Sequence, residues 1–197
     1  MRVIAGTLRR RTLLAPAGMA TRPTSDRLRE TLFNVLAPRI EGARFLDLYA
    51  GSGAVGIEAA SRGAERVVVV ERAANALKVL RANLESLGLR GGVRVEAVSV
   101  AAFLKKVRPE SSGFAFDIMF MDPPYDAVDE YGLALGLLGK EASRLLARDA
   151  VVIAEHRRKE KLEERYGVLE RMRVLEQGDA ALSFYKAAVS SQLSAGI

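Results

Sequence analysis

One segment restricts the possible folds of this chain more than any other. Phe45-Leu-Asp-Leu-Tyr-Ala50 is an apolar run of strand length, and it passes directly into Gly51-Ser-Gly-Ala-Val-Gly56 and then Ile57-Glu-Ala-Ala60. That is a buried strand, a glycine turn and the start of a helix. Gly51 and Gly53 permit a tight turn and close backbone approach to a ligand, and Gly56 lets the helix pack closely on the strand. A second apolar run, Val67-Val-Val-Val70, ends in Glu71, 20 positions after Gly51. A nucleotide-binding α/β fold places its ribose-binding carboxylate there.

The same alternation continues along the chain. Strands are predicted at 44–49, 66–71, 93–98, 116–121 and 150–155, followed in turn by helices at 54–62, 73–87, 100–107, 129–146 and 158–165. Gly88 closes the second of these helices. The end of the chain differs. Residues 168–176 and 181–187 alternate about the turn Gly178-Asp179, which reads as a β-hairpin. The fold class is therefore α/β and Rossmann-like, a seven-stranded, mostly parallel sheet with right-handed crossovers and a C-terminal antiparallel hairpin. Before it, residues 2–16 read as a short basic β-hairpin arm. A helix follows, capped by Thr24 or Ser25 and stopped at Pro38, with Leu28, Leu32, Phe33, Val35 and Leu36 on one face and Arg27 and Arg29 elsewhere. The expected organisation is an arm and helix over 1–40, a main domain over 41–187 and a flexible tail over 188–197.

Ligands bind such sheets at the carboxyl ends of the strands. Asp47, Glu71, Ser99 and Asp122 all fall at or near those ends. The last opens Asp122-Pro123-Pro124-Tyr125 at the tip of the strand Phe116-Asp-Ile-Met-Phe-Met121. Two prolines stiffen this loop and remove its donors, so it offers acceptor oxygens and an aromatic face. An exocyclic amine on a planar base needs that combination, although Pro-Pro also simply ends strands. A G-x-G-x-x-G spacing alone also fits a dinucleotide, but Asp47 would set a like charge near a pyrophosphate. S-adenosylmethionine, with its ammonium and sulfonium, suits a carboxylate there.

Composition narrows the chemistry further. At 197 residues, about half of them apolar, the chain can bury a real core as one domain. It has no cysteine and one histidine, His156, which excludes disulfides and thiolate metal sites and leaves no His-based cluster or triad. No metal is expected. His156, beside Arg157-Arg158, reads as a surface residue at a strand end. There is no apolar run of transmembrane length and no signal-peptide h-region, which fits a cytoplasmic protein with no membrane partner. The net charge is +6, and residues 1–25 hold Arg2, Arg9, Arg10, Arg11 and Arg22 with no acid. Such a run fits a nucleic-acid phosphate backbone, with a solvated face as the alternative.

The chain resembles class I S-adenosylmethionine-dependent methyltransferases and, more narrowly, the RsmD family, which methylates the N2 amine of a guanine in bacterial 16S ribosomal RNA. The likeness covers nearly the whole chain. It rests on Arg2-Val-Ile-Ala-Gly6, Leu8-Arg-Arg-Arg11, Thr21-Arg-Pro-Thr24, Asp26-Arg-Leu-Arg-Glu-Thr-Leu-Phe-Asn34, Phe45 to Gly53, Glu71-Arg72 and Asp122 to Tyr125. The resemblance implies cofactor contacts from Asp47, Tyr49, Gly51, Ser52, Gly53, Glu71, Arg72, Ser99, Val100 and Asp122. It implies catalysis by Asp122, Pro123, Pro124 and Tyr125, with Tyr125 stacking on an unstacked base. Arg9, Arg10, Arg11, Arg22 and Arg27 would hold the RNA. The expected partner is 16S ribosomal RNA in the small subunit or its assembly intermediate, and the protein is read as a monomer. Ser99 departs from the family, which has an acid at that place. Rival readings are a DNA or other RNA amino-methyltransferase, a protein glutamine methyltransferase, whose loop begins with Asn instead of Asp, and a catalytically silent RNA-binding module.

Overall fold

The computed structural model describes residues 1–15, 23–89, 91–106, 115–124 and 127–188. The chain opens with an antiparallel bridge between Arg2 and Thr12, closed by Val3 N–H to Arg11 O and Leu13 N–H to Met1 O. Helix α1 follows (Pro23–Leu36), then a short 3-10 turn, Ala37–Arg39. The alternating part comprises β1 (Arg44–Leu48), α2 (Ala54–Ser61), β2 (Arg66–Val70), α3 (Ala74–Ser86), β3 (Val93–Glu96) and α4 (Val100–Lys106). It continues through β4 (Phe116–Met121), α5 (Asp129–Leu145) and β5 (Leu146–Arg157). Three strands close the described chain: β6 (Arg165–Tyr166), β7 (Leu169–Gln177) and β8 (Ala180–Ala187).

These strands form one sheet in the order β3-β2-β1-β4-β5-β8-β7-β6. The first five are parallel, and β8, β7 and β6 are antiparallel to their neighbours. This is the Rossmann-like class I methyltransferase arrangement expected from the sequence. Strand side chains alternate between faces. Phe45, Val67, Val69, Ile118 and Phe120 pack under α1, α2, α3 and the arm. Leu46, Val68, Val70, Met119 and Met121 pack under α4 and α5. The arm's Val3 and Leu13 share the first of these cores with Leu28, Leu32 and Phe33 of α1.

The sheet differs from expectation in having eight strands among the described residues. In place of the helix expected over 158–165, the chain forms a turn and an extended segment that enters the two-residue β6. Apart from a local turn in which Glu160 N–H donates to Arg157 O, this stretch bonds across the chain: Arg158 N–H donates to Asp179 O, and the carbonyls of Glu163 and Glu164 accept from Tyr185 Oη and Arg171 N–H. Gly139 of α5 makes room for β6, since a Cβ there would lie 1.9 Å from the Tyr166 carbonyl. Strand β5 also extends beyond 150–155 at both ends. His156 is consequently buried, not a surface residue. Its ring lies between Ser183 Oγ and Arg157 O, each at 2.9 Å. Helix α1 begins at Pro23, so Thr24 and Ser25 lie inside its first turn; proline suits that position because its missing N–H would have no intrahelical partner. Arg29 lies inside as well, donating to Arg2 O at 2.6 Å and pairing with Asp26 at 3.1 Å.

Candidate active site

Leu48 of β1 stands in register with Val70 of β2 and with Met121 of β4. The next residue on each strand therefore leaves the sheet on one rim: Tyr49, Glu71 and Asp122. Three apolar strand ends set these three polar side chains next to one another.

The glycine turn sits on that rim. Tyr49, Gly51 and Gly53 all have positive φ, at 65°, 57° and 80°. Glycine adopts this at little cost, whereas a tyrosine held there stores on the order of 1–2 kcal/mol of strain. Its hydroxyl donates to Glu130 Oε2 at 2.7 Å, which ties the turn to the start of α5, just after the Asp122 loop. Burial and the Glu130 carboxylate push the phenol pKa well up, so Tyr49 remains a donor. A Cβ on Gly51 would meet nothing within 4 Å, so the turn is open on that side. Gly56 is closed in, because a Cβ would come within 2.5 Å of Val69.

Glu71 has an architectural task. One carboxylate oxygen accepts from Gly51 N–H at 2.8 Å, and the other accepts from the N–H groups of Arg72 and Ala73, each at 2.7 Å. It thus fixes both the glycine turn and the chain leading into α3. A carboxylate has about four acceptor positions, so one remains for a ligand hydroxyl. Arg72 contributes its backbone here, and its side chain is exposed.

Asp47 lies deeper than expected. It is 1 % exposed, on the α2 face of β1, with Oδ2 accepting Gly56 N–H at 2.9 Å. Instead of facing a ligand openly, it braces the helix start beneath the turn. Burial pushes its pKa up to about 8; the Gly56 bond opposes this, and the charges of Asp122 and Glu71 add to it.

Asp122 is half-buried beside β1, its N–H directed at Leu48 O at 3.5 Å. Pro123 is buried and Pro124 exposed, and the Pro124 carbonyl accepts Ala127 N–H at 2.8 Å, closing the loop toward α5. Tyr125 lies outside the described residues. Ser99 accepts Ala102 N–H at 3.2 Å and thereby caps α4, while Val100 is buried at its first turn. A hydroxyl used as a cap acceptor keeps its own proton to donate.

Of the arginines, Arg9, Arg10, Arg11 and Arg27 are exposed, and Arg22 lies outside the described residues. Arg11 also donates to Ser86 O at the end of α3. Several organising residues had no sequence signal strong enough to single them out. Glu58 is wholly buried in α2; its carboxylate accepts from the N–H groups of Ile4 and Ala5 and from Arg62. Asn83 of α3 reaches both the arm and Ser52. Glu130 is legible only once Tyr49 is seen to need a partner. Among the described residues, no group of three or more His, Cys, Asp or Glu could hold a metal, and no helix is long and apolar enough to cross a membrane.

Comparison with known proteins adds independent findings. A family model described as "Conserved hypothetical protein 95" matches residues 1–186. The chain is 37% identical over 186 residues to "Putative rRNA methyltransferase YlbH" of Bacillus subtilis (strain 168), spanning 94% of this chain and 98% of that protein. It is 42% identical over 125 residues to ribosomal RNA small subunit methyltransferase D of Escherichia coli (strain K12), spanning 64% of this chain and 60% of that protein. Among solved structures, "Putative methyltransferase yhhF from Escherichia coli" superposes with a TM-score of 0.78 at 33% identity, covering 95% of this chain and 97% of that one.

Proposed function

Because the chain belongs to the "Conserved hypothetical protein 95" family, the RsmD family of methyltransferases, we propose that it methylates the exocyclic N2 amine of a guanine in 16S ribosomal RNA. The methyl donor is S-adenosylmethionine and the substrate the small ribosomal subunit or its assembly intermediate. Residues 1–40 serve as an RNA-binding extension of a catalytic domain over 41–187, and the protein acts as a monomer. The observation that carries this reading is the register that brings Tyr49, Glu71 and Asp122 to one rim beside an open glycine turn.

The donor set fits the cofactor. Glu71 and Asp122 give the rim a negative potential that attracts a cation and repels a pyrophosphate, while Asp47 braces the turn from below. Glu71 would accept from ribose hydroxyls, Gly51, Ser52 and Gly53 would line the amino-acid end, and Ser99 and Val100 would border the adenine. When bound, S-adenosylmethionine supplies an electrophilic methyl on a sulfonium.

The chain's own residues do the rest. A guanine amine is a poor nucleophile because its lone pair is delocalised into the ring. Asp122 and the Pro123 carbonyl accept its two N–H groups and draw the nitrogen toward tetrahedral geometry, freeing the lone pair. Orientation and fixed electrostatics carry most of the rate, and no strong base is needed first. Tyr125 stacks on the unstacked base.

The test is methyl transfer from labelled S-adenosylmethionine to separated small subunits, large subunits and duplex DNA. Label is expected in small-subunit RNA. Label confined to DNA or protein would refute the reading.

A further inference from the structure

Asn83 has no place in the chemistry described above, yet it is one of the most fully used polar side chains in the protein. It lies on the apolar stripe of α3 with Leu77, Leu80 and Leu84, and it is 1 % exposed. A buried amide requires partners. Its Oδ1 accepts Leu14 N–H at 2.8 Å, and its Nδ2 donates to Leu14 O at 3.1 Å. The side chain thus pairs with Leu14 as a neighbouring strand would. The second Nδ2 proton goes to Ser52 O at 2.9 Å, between the two positive-φ glycines of the turn. Two carbonyls and one N–H fix the orientation of the amide.

One turn earlier on α3, Leu80 presses on the same loop, since a Cβ on Gly53 would lie 2.3 Å from Leu80 Cδ1. Leu80 and Asn83 therefore hold the glycine turn from one helix face, and Asn83 also holds the end of the arm at Leu14. The rest of the arm is fastened elsewhere: Ser61 Oγ donates to Ala5 O and accepts from Leu8 N–H, and Glu58 takes Ile4 and Ala5.

We infer that Asn83 is a positioning residue through which the end of the N-terminal arm sets the shape of the glycine turn, and hence cofactor affinity. The inference rests on the assignment of that turn to S-adenosylmethionine. It makes the basic arm part of the cofactor site's frame, so that order in one supports order in the other.

The test compares Asn83→Leu, Asn83→Asp and Ser61→Ala for binding of S-adenosylhomocysteine by calorimetry, for melting temperature and for amide exchange without ligand. Asn83→Leu should raise Kd about tenfold, the scale of one missing buried hydrogen bond. Leu14 should exchange faster, while Leu13, whose N–H is held by Met1 O, stays protected. Asn83→Asp keeps an acceptor for Leu14 but removes the donor to Ser52. It should bind the ligand weakly with Leu14 still protected, and it also serves if the leucine variant does not fold. Ser61→Ala loosens the arm away from the turn and should leave Kd within about twofold at a comparable drop in melting temperature. An unchanged Kd in a folded Asn83 variant, or an equal rise in Ser61→Ala, overturns the inference while the functional reading stands. Absence of binding by the unaltered protein overturns both.

Discussion

Asp47 shows how one residue can meet two demands. Its carboxylate braces the start of α2 through Gly56, yet it sits where water cannot solvate a charge. Burial, with the nearby Asp122 and Glu71 charges, raises its pKa from 3.8 to about 8. The sign for stability follows. A carboxyl that binds its proton more tightly when folded stabilises the fold fully below its unfolded pKa, and this contribution is lost as pH rises through the folded value. Asp47→Asn keeps an acceptor for Gly56 and cannot ionise. Its melting temperature relative to the unaltered protein should therefore climb between pH 4 and about pH 8. A difference that is constant over that range would show that Asp47 is charged throughout. The residue type and its strand were legible in the sequence; its depth was not. Depth depends on Gly56 letting α2 close over it, an approach between residues that lie on different elements. Tyr49 was legible as a site residue for a similar reason, and its left-handed backbone and its bond to Glu130 were not.

At the scale of elements, the arm resolves into two sides with different work. Its inner side is structural: Val3 and Leu13 are buried, and Glu58 and Ser61 hold its backbone on α2. Gly6 fits there because a Cβ would fall within 1.8 Å of the Ser61 carbonyl. Its outer side carries Arg9 and Arg10, both exposed. Changing Arg9 to Gln and Arg10 to Asn, which tolerates the positive φ of 69° at that position, should leave melting nearly unchanged. RNA affinity should fall, and its log–log salt slope should become shallower by about 0.7–0.9 for each phosphate the arm no longer neutralises. A lower melting temperature with an unchanged slope would assign these arginines to the fold alone. Sequence patterning locates every parallel strand, most of them as dense apolar runs and β3 as the alternation Val93-Arg-Val-Glu96. It misreads 158–165 because the charged stretch Arg157 to Arg165 has helix-forming residues, and only the partners on β7 and β8 decide that its backbone bonds sideways.

For the whole molecule, the parallel half of the sheet is what makes a site. Parallel strands in common register deliver their C-terminal residues to one edge, so Tyr49, Glu71 and Asp122 become neighbours although 73 positions separate the first from the last (122 − 49). The antiparallel half completes the core and leaves β7 beyond β6 as an edge, where the register shift between Arg171 and Arg173 and the exposed charges discourage further pairing. This division was legible in outline, since alternating helices and strands give way to a hairpin at Gly178. The arm's path across α2 and α3 was not, because it depends on Glu58, Ser61 and Asn83, single polar residues on otherwise ordinary helices.

The central claim is that the Asp122 loop directs methyl transfer to a guanine amine. The most direct measurement is nucleoside analysis of 16S RNA from unmodified small subunits after reaction with saturating S-adenosylmethionine, using the unaltered protein and Asp122→Ala. The account predicts N2-methylguanosine as the product. It also predicts a rate lower by about a hundredfold or more in the variant, the scale of removing an oriented acceptor from a dry site. A different methylated nucleoside, or a variant that turns over at the normal rate, would contradict it.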